Sequence, residues 1–359
     1  MKRILILLLI ISILPTASIF AYNSEAQLTF IVKSSSQSLF QSELTIESDE
    51  LFQSIIILKS RRKVTELPLS NHYLLLENKG MIKTYMIDYR GELYDIQRKE
   101  KIQIPSELER KLRTYFQALD SKHFGKLMYW EEGQELIPRY SKFKITDLET
   151  GLSFHVQRRA GSNHADVQPL TKKDTKIMKE IYNGKWSWKR RAVLIHCNNQ
   201  IIAASMHGMP HGGGALANGF PGHFCIHLKG STTHTSRSED LSHQVMVHKA
   251  AGILNSYVKQ LQAEDIVELF FVAINQRDYD LLNLIHSGTV ESHNEIINRT
   301  ESIRILKRDK ISLKEPLVYK EVVKYKVKEE GKGESVEQFS FELVRDSITS
   351  GWKLVKVPF

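Results

Sequence analysis

The stretch AVLIHCNNQIIAASMHGMPHGGGALANGFPGHFCIH, residues 192–227, holds both the clearest strand pattern in the chain and its densest chemistry. Ala192 to Cys197 and Ile201 to Ser205 are short apolar runs joined by Asn198-Asn199-Gln200, which reads as a β-hairpin. A glycine-rich loop follows, and then a helix is expected from about Asp240 to Tyr257. Working upstream, Phe143 to Ile145 and Leu152 to Val156 read as strands around the turn Glu149-Thr150-Gly151. Asp174 to Tyr182 reads as a helix with Thr171 as its cap and Asn183-Gly184 as its end. Residues 123–260 therefore form a β-rich central domain with a glycine-rich loop.

The flanks have other textures. In residues 22–122, Ile55-Ile56-Ile57-Leu58, Tyr73 to Leu76 and Thr84 to Tyr89 read as strands, with turns at Asn78-Lys79-Gly80 and Arg90-Gly91-Glu92. A helix starts at Pro105-Ser106-Glu107 and places Leu108, Leu112, Tyr115, Phe116 and Leu119 at helical spacing. This region is an α/β accessory domain without an assignable site. In residues 261–359, Ile266, Val267, Phe270, Phe271 and Ile274 mark an amphipathic helix and Tyr279 to Ile285 a second. Strands follow near Glu301-Leu306, Leu317-Val327, Val336-Arg345 and Trp352-Val357. Helices before a curved antiparallel sheet resemble the NTF2-like family, which implies an α+β cone serving as a binding or spacing module. The expected fold class is α+β multidomain.

The N-terminus reads as an export signal. Met1-Lys2-Arg3 is positive, Ile4 to Leu14 is apolar, and Thr16, Ala17, Ser18 and Ala21 are small, so cleavage is expected after Ala21. The apolar run falls short of the ~20 residues a spanning helix needs, so membrane attachment is expected only through an uncleaved signal. The remaining chain exceeds the ~100 to 200 residues of one domain, which implies two or three. A net charge of +9 favours anionic surroundings, which for an exported protein means anionic wall polymers or lipid headgroups rather than nucleic acid, the alternative being a scattered surplus of lysine. No phosphate-binding or dinucleotide fingerprint is present, and no organic cofactor is required.

Two cysteines, Cys197 and Cys225, cannot make a disulfide scaffold, so either they are bridged or one has a chemical task. Histidines crowd Cys225: His223 and His227 lie two residues to either side, and His211 lies upstream across the glycine loop. Histidine is the usual base for a nucleophilic thiol, and glycine-rich backbone can turn N–H groups inward as an oxyanion hole.

His211-Gly212, followed by Gly222-His223-Phe224-Cys225-Ile226-His227, resembles the signature of the L,D-transpeptidase (YkuD-like) family. That signature is His-Gly, a loop, then Ser-His-Gly-Cys, an aliphatic residue and arginine. The present sequence matches at histidine, cysteine and the aliphatic residue, and carries Gly222, Phe224 and His227 where the family has serine, glycine and arginine. The resemblance implies a secreted or wall-associated cysteine acyl-transfer enzyme acting on peptidoglycan stem peptides, of transpeptidase or carboxypeptidase type. It implies Cys225 as nucleophile, His223 as its base and His211 as a pocket residue. Gly222, Phe224, His227 and His234 are then the candidates for substrate binding or the oxyanion hole.

Two other readings stand beside this one, the first of which draws on some of the same histidines. A zinc-dependent wall peptidase could take His164, Asp166, His223 and His227 as ligands, with His234 and His243 nearby in sequence, although no His-Glu-x-x-His helix is present. A non-catalytic wall-binding protein could use Trp186-Ser187-Trp188-Lys189-Arg190-Arg191 as an aromatic and basic surface, the alternative being a core tryptophan pair beside a solvated charge run. His155, His196, His248 and His286 read as structural, and Cys197 as packed in its strand.

Overall fold

The structure, a computed structural model, describes residues 26–233, 237–287, 290–311 and 315–358; the expected signal segment lies outside them. The chain is a mixed α/β, strand-rich protein of antiparallel sheets, one of which closes as a six-stranded barrel. No helix among the described residues is long and apolar enough to cross a membrane.

The N-terminal part runs β1 (Gln27–Lys33), β2 (Gln41–Glu47), α1 (Asp49–Ile56), β3 (Arg61–Lys63), β4 (His72–Asn78), β5 (Met81–Ile87), β6 (Leu93–Asp95), β7 (Glu100–Ile102) and α2 (Ser106–His123). Its sheet has the order β2-β1-β4-β5-β6-β7-β3. Leu28, Phe30 and Val32 alternate into the core, where Leu112, Phe116 and Leu119 of α2 meet them. The strand expected at Ile55 to Leu58 is instead the end of α1. Ser48 caps that helix by accepting the Leu51 N–H, Asp49 and Glu50 lie in its first turn, and Leu51, Phe52 and Ile55 share its buried face. Cap, dipole and helical spacing together override the β-preference of three isoleucines.

The central part runs α3 (Trp130–Leu136), β8 (Lys142–Asp147), β9 (Ser153–Ala160), β10 (Ala165–Pro169), α4 (Lys172–Ile181), β11 (Arg190–Cys197), β12 (Gln200–His207), β13 (Phe224–His227), α5 (Leu241–Ala250) and α6 (Leu254–Val258). The barrel order is β10-β13-β12-β11-β8-β9. The hairpin turn has Asn198 and Asn199 both at positive φ, which fits the twist of the flanking strands. The single helix expected over 240–257 is two, because Gly252 adopts φ +70° beside the Phe124 ring; a Cβ there would lie 2.6 Å from that ring.

The C-terminal part runs α7 (Ala263–Gln276), α8 (Tyr279–Ile285), α9 (Val290–Arg299), β14 (Thr300–Ile311), β15 (Val318–Glu329), β16 (Glu334–Val344) and β17 (Lys353–Leu354), with the last four in one antiparallel sheet in that order. The expected order of helices then strands is present, and the last strand is shorter than expected.

The hairpin β11–β12 joins two cores. Val193, Ile195, Ile202, Ala204 and Met206 point into the barrel, whereas Ala192, Leu194 and Ala203 point outward to Val245, Met246 and the helix α7 residues Ile266 and Phe270. Burial on both faces explains why these strands are continuously apolar. A polar seam binds the three parts as well: Lys249 is 5% exposed and contacts Asp278 at 2.8 Å and Glu149 at 3.1 Å, while Ser35 Oγ donates to Glu149. Burial alone would lower the Lys249 pKa, and the Asp278 and Glu149 carboxylates more than offset it. Lys249→Met leaves two carboxylates facing each other without their cation; a loss of about 3–5 kcal/mol is expected, read as a lower urea midpoint.

Candidate active site

The period of two along three neighbouring strands builds the site. On β13, Phe224 and Ile226 enter the barrel core, so Cys225 and His227 face outward. On β12, Ala204 and Met206 point in and leave Ser205 and His207 on the outer face. On β10, Ala165 and Val167 point in and Asp166 points out, with His164 just before the strand. Register then aligns Asp166 with Cys225 and Ser205 with His227. The result is a buried polar face on the outside of the barrel, covered by α5 and by the loop after β12.

Cys225 Sγ lies 3.4 Å from His211 Nε2 and 3.7 Å from Asp166 Oδ1. His211 Nδ1 is 3.2 Å from the Met209 carbonyl, and the tautomer that donates to this carbonyl turns an unprotonated Nε2 to the thiol. His223, expected as the base, turns elsewhere: its Nδ1 is 3.1 Å from the Gly213 carbonyl and its Nε2 is 3.7 Å from Asp166 Oδ1. The backbones of His211 and His223 exchange two hydrogen bonds of 3.0 and 2.9 Å, so the ends of the glycine loop are pinned together. His227 stacks between His164 at 4.6 Å and His243 at 3.8 Å, and Ser205 Oγ meets His243 Nδ1 at 2.8 Å. Phe224 is a core residue, and His234 lies outside the described residues.

Electrostatics oppose charge on the Cys225 thiol and on the His207, His211 and His227 rings. Burial, and then the Asp166 carboxylate, push the Cys225 thiol well above its ordinary pKa. Burial drives His207 down to about 2 and His227 to about 3, with nearby cationic groups adding to both shifts. His211 is lowered, again chiefly by burial, while its bond to Met209 opposes the shift. The resting pair is thus thiol and imidazole, unlike the thiolate that histidine crowding suggests from sequence.

The oxyanion-hole expectation narrows to a few groups. The Cys225 N–H is directed at His207 Nε2 at 3.4 Å, the Ala215 N–H donates to Gln168 and the Gly222 N–H to Phe220. Among the described residues, the N–H groups of Gly212, Gly213 and Gly214 donate to no acceptor of the chain. Gly222 has φ +126°, and a Cβ there would lie 2.5 Å from the His211 carbonyl oxygen. Gly222→Ser, which restores the residue of the L,D-transpeptidase pattern, is therefore expected to split the His211–His223 bridge and cost about 1–3 kcal/mol. Thermal unfolding and the alkylation rate of Cys225 would both report it.

The four residues of the zinc reading are only partly assembled. Asp166 lies 3.3 Å from His164 Nε2 and 3.7 Å from His223 Nε2, but His227 meets His164 by ring stacking. Two triples of donor atoms do lie within 4.8 Å of one another, His164-Asp166-Cys225 and His207-His211-Cys225. Cys197 and Cys225 are both free thiols, so the bridged alternative does not occur.

Compared with family models, with curated proteins and with solved structures, the chain finds no match.

His207 and Ser205 were not singled out by the sequence motifs, and Trp188 was read only as part of the aromatic and basic run 186–191. Trp188 is 49% exposed and its ring lies 4.7 Å from His207 and 5.4 Å from His211, forming an outer wall. Its neighbours are not a free basic surface: Arg190 pairs with Asp240 at 2.7 Å and Arg191 with Asp147, while Trp186 packs edge-on against Phe220. Extending the strand alternation past Ser205 would have placed His207 on the same face as Ser205; nothing in the run 186–191 tied Trp188 to Cys225.

Proposed function

We propose that the protein is an exported cysteine acyl-transfer enzyme acting on peptidoglycan stem peptides, of transpeptidase or carboxypeptidase type. The observation that carries the reading is Cys225 Sγ at 3.4 Å from His211 Nε2, with the other ring nitrogen 3.2 Å from the Met209 carbonyl. A nucleophile, a base and a group that orients the base are the parts acyl transfer needs.

In this reading His211, rather than His223, takes the thiol proton as Sγ attacks the carbonyl carbon of the donor peptide. Because the resting pair is neutral, proton transfer accompanies attack instead of preceding it. The N–H groups of Gly212 to Gly214 stabilise the developing oxyanion. His211 returns the proton to the leaving amine as the C–N bond breaks, and a thioester remains on Cys225. An acceptor amine or water then attacks that thioester and gives its proton to His211, which restores the thiol. His223, held to the loop carbonyl of Gly213 and facing Asp166, is a positioning residue.

The apolar segment before Ala21 supports export, and the net charge of +9 supports residence near an anionic wall. The C-terminal helices and sheet, read as an NTF2-like module, serve as a spacer packed on the outer face of β11 and β12. The test is incubation of metal-free mature protein with stem tetrapeptide and pentapeptide, followed by mass spectrometry of peptide products and intact protein. Cys225-linked acyl-enzyme together with released or exchanged terminal residue supports the reading; unchanged peptides and unmodified protein refute it.

A further inference from the structure

We infer that the buried face around Cys225 is also a site for a soft divalent cation, best fitted by Zn2+, with His164 Nε2, Asp166 Oδ1 and Cys225 Sγ as protein ligands, and that the metal-bound form is silent for acyl transfer. The binding claim stands on geometry alone, and the silencing clause rests on the acyl-transfer reading.

The spacing of the donor atoms comes first. Zinc bonds of about 2.3 Å to sulfur and about 2.0–2.2 Å to nitrogen or oxygen, arranged tetrahedrally, separate S from O by about 3.6 Å and N from O by about 3.4 Å. Here Cys225 Sγ and Asp166 Oδ1 are 3.7 Å apart, and His164 Nε2 and Asp166 Oδ1 are 3.3 Å apart. All three ligand atoms lie within 4.8 Å of one another, so a small inward movement encloses an ion.

Orientation is the second argument. His164 Nδ1 lies 2.7 Å from the Thr232 carbonyl oxygen, which leaves Nε2 as the ring nitrogen that faces Asp166. A histidine that donates one nitrogen to a backbone carbonyl and offers the other is the usual arrangement of a metal ligand. A cation that displaces any proton from Nε2 would draw on the electron pairs of both Nε2 and the Asp166 oxygen, which are 3.3 Å apart. The same holds for the anions: a thiolate beside the Asp166 carboxylate would place two negative charges 3.7 Å apart in a buried setting unless a cation lies between them.

Burial and donor type select the ion. His164, Asp166 and Cys225 are 1%, 6% and 5% exposed, so the ion leaves bulk water on binding. Mixed sulfur, nitrogen and oxygen donors favour Zn2+ over Mg2+ or Ca2+, which prefer all-oxygen cages. Three protein ligands leave a fourth position on the side of His211 and His207, which form the second triple around the same sulfur. On binding, the S–H bond breaks, Sγ bonds the metal and one proton leaves to solvent, so the sulfur pair needed for attack on a carbonyl is occupied.

The experiment uses metal-stripped mature protein carrying Cys197→Ser, so that one thiol reports. Titration with Co2+ is expected to develop a sulfur-to-cobalt charge-transfer band that saturates at one ion per chain and is displaced by Zn2+. Zinc is then expected to slow iodoacetamide alkylation of Cys225 by about tenfold or more, and His164→Asn to weaken binding by about 10- to 100-fold. The band in otherwise native protein reads thiolate ligation without depending on how any ligand variant folds. No band at submillimolar Co2+, or Zn2+ binding that leaves the alkylation rate unchanged, overturns the proposal. A band in protein that fails to turn over stem peptide when metal-free upholds the metal site and removes the acyl-transfer reading. Turnover without a band does the reverse, and turnover that persists with saturating Zn2+ removes the silencing clause.

Discussion

Cys225→Ser is expected to lower turnover of a stem-peptide substrate by on the order of 10⁴ or more, while the protein still folds and binds wall. The substitution keeps size and hydrogen-bonding capacity, and Cys225 is already held as a neutral thiol between His211 and Asp166. The barrel therefore has little cause to rearrange. What disappears is the nucleophile: a serine hydroxyl is far less acidic than a thiol, and the adjacent Asp166 opposes its ionisation still further. Circular dichroism and retention on purified wall sacculi would separate loss of chemistry from loss of structure. If the protein were only a wall-binding module, the same variant would behave as wild type in every assay.

His211→Ala is expected to slow acyl-enzyme formation by about 10²- to 10⁴-fold, the usual contribution of a positioned general base. His223→Gln is expected to cost less. Sequence motif and geometry diverge here, since the family pattern points to His223, whereas the nitrogen facing Sγ is that of His211. The His223 ring bonds the carbonyl of Gly213, and an amide side chain can keep part of that contact. The measurement is the single-turnover rate at saturating substrate for the two variants. A larger loss at His223 than at His211 would reassign the base.

The pattern of legibility follows from which forces are local. The hairpin across Asn198 and Asn199, the Thr171 cap and the helix beginning at Ser106 were readable because turn chemistry, capping and apolar spacing act within a few residues. Ile55 to Leu58 misled because its β-branched content is visible in any window, whereas the cap at Ser48 and the shared face of Leu51, Phe52 and Ile55 decide the outcome. Cys225 and the histidines of the glycine loop stood out by crowding. Their division of labour did not, because it depends on the loop folding back so that His211 pairs with His223, and on register across β10 and β13 that brings Asp166 beside the thiol. The raised thiol pKa has the same origin: a carboxylate fifty-nine positions away in sequence is not a neighbour until the barrel closes. His164 and Asp166 were legible together as candidate metal ligands, two positions apart on an extended segment, whereas the orientation of the His164 ring was not, since it depends on the Thr232 carbonyl.

The most direct test of an activated thiol at this site is intact-mass analysis of the metal-free mature protein after exposure to a carbapenem or a thiol-reactive peptide analogue. Wild type, Cys225→Ser and Cys197→Ser are compared. A single adduct in wild type and Cys197→Ser that is absent in Cys225→Ser is the expected result. An unmodified wild-type protein, or an adduct that follows Cys197, would contradict the assignment of Cys225 as the nucleophile.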